Sequence, residues 1–99
     1  MKAILKSKSG SEFHEILIQN IEHSPEYPVF ETIGKAFNVK GDILVRENIA
    51  GPSEDIIIAE CLGDEVRVIY DIDYGLMPIQ CTARNADRIL DVVNEVLNN

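Results

Sequence analysis

Asp71-Ile72-Asp73-Tyr74-Gly75 is the segment of this chain best suited to holding a cation, with two carboxylates spaced one residue apart and running into a glycine. A calcium loop needs acids at positions 1, 3 and 5, a glycine at position 6 and a glutamate at position 12. Here Gly75 falls on position 5, Leu76 on position 6 and Thr82 on position 12, so three required positions fail. A strand end turning through Gly75 with its carboxylates in water is the simpler account. Zinc needs four ligands, usually paired at short spacing. His14, His23, Cys61 and Cys81 are the soft donors, and no CxxC or HxxxH pair occurs among them. No cofactor or metal is expected.

Nucleophilic chemistry is equally thin. Cys61 and Cys81 lie in β-rich segments beside Leu62 and Ile79, where a thiol behaves as a small hydrophobe. Neither has a basic neighbour or a helix start to stabilise a thiolate. The sequence has no GxGxxG, GxxxxGK[ST] or GxSxG, so it lacks the local signatures of nucleotide cradles and nucleophile elbows. Seventeen acids in 99 residues will bring some carboxylates together by chance, and so short a chain leaves little room for a walled cleft. The expectation is a protein that is not an enzyme.

Charge carries more information. Seventeen acids against nine bases give a net charge of −8, with a pI near 4.6. Phosphate binding needs clustered Lys and Arg, so nucleic acid and anionic membrane surfaces are disfavoured as partners. Eight acids and a single base, Arg67, lie from Glu47 to Ala83, which places seven of the net negative charges there. A polar solvated face explains such a run, and so does a docking surface for a basic protein. On the second reading Glu60, Asp64, Glu65, Tyr70, Asp71, Asp73 and Tyr74 are the candidate partner-binding residues. The acids among them are expected to be exposed, because buried carboxylates need cations and Arg67 is the local one. The tyrosines bring apolar area with a polar tip.

The elements that must position these residues follow from periodicity. Residues 3–5 read as a short strand ending in a turn at Gly10, and residues 13–21 as a strand hairpinned to it. Ser24 and Pro25 open a helix whose apolar positions are Val29, Phe30, Ile33, Ala36 and Phe37, with Asn38 and Gly41 as the stop. Residues 43–45 make a brief strand, and Gly51-Pro52-Ser53 breaks the chain. Residues 56–61 and 66–72 form an antiparallel hairpin around a turn at 62–65, and residues 79–82 add a third strand. Asn85 or Thr82 caps a closing helix with the stripe Ala86, Ile89, Leu90, Val93, Val96 and Leu97. The sum is one α+β domain over residues 1–99, a mainly antiparallel sheet with a middle helix and a C-terminal helix on one face. The longest apolar run is four residues, from Ile56 to Ala59, and Ala3-Ile4-Leu5 lies between Lys2 and Lys6. Neither a membrane span nor a signal peptide is expected, and a cytoplasmic location follows.

A small acidic α+β chain with the hairpin end Val68-Ile69-Tyr70-Asp71-Ile72-Asp73-Tyr74-Gly75, the strand 79–82 and the closing helix 86–97 resembles bacterial immunity proteins. These neutralise polymorphic or contact-dependent inhibition toxins. The resemblance spans about residues 56–97 and is one of pattern. It implies an acidic surface that masks a basic, often nuclease-like, toxin. The rival expectation is a structural or regulatory interaction module, a homo-oligomeric subunit joined through the last helix's apolar stripe or the Phe30/Phe37 face.

Overall fold

The computed structural model describes residues 2–7, 13–19, 27–73 and 77–98. Six strands and two helices follow the chain in the order β1 (Lys2–Ser7), β2 (Phe13–Gln19), α1 (Tyr27–Val39), β3 (Ile43–Ala50), β4 (Glu54–Cys61), β5 (Asp64–Asp71), β6 (Ile79–Thr82) and α2 (Ala86–Leu97). The strands form one antiparallel sheet of order β1-β2-β6-β5-β4-β3. The α+β class expected from sequence is therefore observed, including the β1–β2 hairpin and the adjacency of the three late strands. The short β6 enters between two hairpins and joins them, Ile16 opposite Ile79 on one side and Val68 opposite Ile79 on the other.

Alternation along the strands sets the layers. Ile57, Ala59 and Cys61 of β4, Val66 and Val68 of β5, Ile79 and Cys81 of β6 and Ile16 of β2 are buried on one face. Phe30, Ile33 and Phe37 of α1 and Ile89, Val92 and Val93 of α2 are buried with them in one core. The helices divide the sheet, α1 packing over β3 and β5 and α2 over β1, β2 and β6. So the β4–β5 hairpin lies mostly under α1. Gly34 makes this approach feasible, since a Cβ there would stand 2.9 Å from Ile57 Cδ1. Tyr27, Phe30 and Tyr70 close the α1 end with ring centroids 5.4–5.9 Å apart.

Several boundaries differ from expectation for local reasons. β3 runs eight residues rather than three, because pairing with β4 carries the polar stretch beyond Val45, with a bulge between Val45 and Glu47. The β4–β5 turn is the pair Leu62-Gly63 alone, with Cys61 opposite Asp64, and both turn residues have positive φ, 52° and 84°. That is the backbone of a type I′ hairpin. Asn85 holds the N-cap position of α2, yet its side chain makes no cap bond. The expected start of α1 at Ser24 and Pro25, the turn at Gly10 and the end of the second strand beyond Gln19 lie outside the described residues.

Candidate protein-interaction surface

The two helices cover one face of the sheet, and among the described residues no element covers the other. Register assigns the side chains of that open face. Along β4 they are Glu54, Ile56, Ile58 and Glu60, and opposite them along β5 are Asp71, Ile69, Arg67 and Glu65. β3 adds Ile49 beside Ile56, Glu47 beside Ile58 and Leu44 beside Glu60. Ile49, Ile56 and Ile69 thus form a row across three strands, with Ile58 one step further on. Ile49 is 40% exposed and Leu44 52%. Next to Ile58 lies a depression of about 150 Å³ lined by Arg46, Ile58, Glu60 and Glu65.

Acids frame this centre. Glu54 and Asp71 face each other at one end and Glu47 flanks the side. At the other end Arg46 bonds Glu60, and Arg67 bonds Glu65 at 2.8 Å. Over β3 to β5 the face carries five acids and two arginines, a net charge of −3.

The residues singled out from sequence separate into groups. Glu60, Glu65 and Asp71 belong to the open face. Asp71 Oδ1 accepts a hydrogen bond from the Asp73 backbone N–H at 3.0 Å, which fixes the end of β5. Glu65 and Asp73 are exposed as expected, whereas Glu60, Asp64 and Asp71 are half-buried. Tyr70 points to the helix side, into the aromatic cluster with Tyr27 and Phe30. Tyr74 lies outside the described residues.

Asp64 is a fastening point. Its Oδ2 accepts from Thr82 Oγ1 at 3.1 Å, Arg84 Nε at 3.0 Å and Asn85 Nδ2 at 3.3 Å. Arg84 Nη2 also donates to the Leu62 carbonyl, and buried Asn85 donates to the Cys61 carbonyl, both at 2.8 Å. The β4–β5 turn is thereby tied to the β6–α2 junction. Arg67 is not the lone cation near these acids, because Arg46 and Arg84 arrive from segments that flank the acidic stretch in sequence.

The remaining chemistry is structural. Both cysteines are free and buried, and burial pushes the Cys81 thiol up to about 11, away from thiolate character. Partial burial and the adjacent Asp55 raise the Tyr27 phenol. Among the described residues no group of three or more His, Cys, Asp or Glu is placed to hold a metal, and no helix is long and apolar enough to cross a membrane. Phe30, Phe37, Ile89 and Val93, offered from sequence as an oligomer face, are core residues spent on the chain's own sheet.

The open-face isoleucines were not singled out from sequence, though a signal was present. Ile56-Ile57-Ile58 is apolar at consecutive positions, and a strand apolar on both faces reads as one covered on both. Comparison with known proteins finds no matching family model, no matching curated protein and no matching solved structure.

Proposed function

We propose that this chain is a non-catalytic binding protein of the immunity type, which masks a basic protein partner with the open face of its sheet. The observation that carries the reading is the row Ile49–Ile56–Ile69 with Ile58, framed by Glu47, Glu54 and Asp71. An apolar centre inside a polar rim is the usual anatomy of a protein interface. Here the rim is acidic, so it steers and selects a basic surface. The homo-oligomeric alternative is less favoured, since a second copy on this face would bring another net −3 against the first.

The test uses lysozyme as a small basic probe, followed by amide and isoleucine-methyl NMR at low salt. The expected shifts map to β3, β4 and β5 and fade as salt rises toward physiological strength. Shifts spread evenly over all acids, including Asp87 and Asp91 of α2, would overturn the reading. Sedimentation of the free protein gives the second arm. A monomer is expected, and a dimer dissolved by Ile56→Glu would put the homo-oligomer in first place.

A further inference from the structure

We infer that the partner's docking element is a basic amphipathic α-helix lying along β4 and β5, so that the complex gains a helical layer on the face that no described element covers. The inference rests on the reading of the open face as the binding surface, and it adds the shape and chemistry of what binds.

Dimensions point to a helix. Strands are spaced roughly 4.8 Å apart, so the three-strand row Ile49–Ile56–Ile69 spans about 10 Å, the width of a helix with its side chains. Ile56 and Ile58 are two residues apart on one strand, about 6.7 Å, close to the roughly 6 Å between helical positions i and i+4. Successive turns of one apolar stripe therefore meet successive isoleucines. The depression of about 150 Å³ beside Ile58 lies on the same line and has the size of one side chain. Sheets bury an apolar face against helices or against another sheet, and α1 and α2 already occupy the opposite side.

Other occupants fit less well. A second copy packing sheet on sheet sets one face of net charge −3 against another. A partner strand added to the β3 edge would meet the bulge between Val45 and Glu47, with the charged Arg46 and Glu47 at the same point, a pattern that blunts edge pairing. A groove of about 500 Å³ runs between α1 and α2, floored by Val29, Ala36, Val92 and Val96. Lys35, Lys40 and Glu95 line it, and Glu95 is already paired with Lys40 at 3.0 Å, so the groove has no acidic excess to draw a basic element. On the sheet face, lysine or arginine beside the helix's apolar stripe meets Glu54 and Asp71 at one end and Glu47 at the side.

The experiment uses two synthetic peptides of about 14 residues, both made only of leucine and lysine. One places all leucines on a single helical face, and the other has the same composition in scrambled order. Binding is read by peptide circular dichroism and by the methyl shifts of Ile56, Ile58 and Ile69. The amphipathic peptide is expected to become helical on binding, and Ile56→Glu or Ile69→Ala to weaken it by about tenfold or more. Val39→Glu, at an 83% exposed position beside the helix groove, is expected to leave affinity unchanged. Melting curves of each variant confirm the fold. Equal binding of the scrambled peptide at the isoleucines would overturn the helix inference and leave the basic-partner reading standing. Loss of binding with Val39→Glu but not with Ile56→Glu would move the site to the helix groove and overturn both.

Discussion

Glu54 and Asp71 stand directly opposite each other at the open end of the β4–β5 ladder, two carboxylates on one face of the sheet. Like charges in a direct cross-strand pair are destabilising, by up to about 1 kcal/mol. A lysine at position 54 would turn this into a pair of opposite charge. Glu54→Lys is therefore expected to stabilise the free protein by about 0.5 kcal/mol, roughly 2–4 °C in Tm, while weakening the basic amphipathic peptide. Thermal melting and peptide titration of the same variant check the two signs. A lower Tm would show that Glu54 is tied down by contacts other than its charge.

Leu62 is a non-glycine residue with positive φ, and its side chain is 65% exposed. The left-handed conformation costs an ordinary L-residue roughly 1–2 kcal/mol, whereas asparagine tolerates it and is favoured in type I′ hairpins. Leu62→Asn is expected to raise stability by about 0.5–1 kcal/mol, and Gly63→Ala to lower it by about 1 kcal/mol, since Gly63 has φ 84°. Urea midpoints at constant m-value measure both.

The fold was legible where periodicity and punctuation agree. The β-branched runs gave the late strands, and the stripe from Ala86 to Leu97 gave α2 as observed. What escaped was non-local. Nothing near Asp64 in sequence announces that Arg84, twenty residues on, would bond it, because only the entry of β6 beside β5 brings the two together. The acids therefore looked uniformly available, whereas the structure divides them between an open face and a fastening point. Consecutive isoleucines at 56–58 signalled a strand apolar on both faces, but the identity of each cover depends on which side the helices take.

The fastening at Asp64 sets a third expectation. Removing the carboxylate leaves Thr82, Arg84 and Asn85 without their shared acceptor, and Asn85 is buried at 1% exposure. Hydrogen bonds to a charged group contribute roughly 1.5–3 kcal/mol. Asp64→Ala is expected to destabilise by about 2–3 kcal/mol, against less than about 0.5 kcal/mol for Asp73→Ala at the exposed end of the same hairpin. Hydrogen exchange gives the finer reading. The amides around the β4–β5 turn and the first turn of α2 should lose protection together in Asp64→Ala. Loss at the turn alone would mean that the tie does not couple the two elements.

Acid and alkaline limits should report different groups. The Asp42 carboxyl is held below its ordinary 3.8, first by the hydrogen bonds from Arg88, at 2.7 and 3.0 Å. A lowered folded value contributes stability that is complete above the unfolded value and is lost as pH falls through the folded one. The Tm difference between the native protein and Asp42→Asn should thus be constant near neutrality and shrink below pH 3.8. Cys81 acts in the opposite sense. Its thiol is raised by burial from 9.0 to about 11, so the unfolded chain ionises first and stability declines as pH climbs through that interval. The native protein is expected to lose this increment between pH 9 and about 11, and Cys81→Val to lack that part of the alkaline decline. Iodoacetamide provides the direct check, with Cys81 inert in the folded protein at pH 8 and alkylated once urea unfolds it. Rapid alkylation of the folded protein at that pH would show that the β6 strand opens locally and that Cys81 is reached without global unfolding.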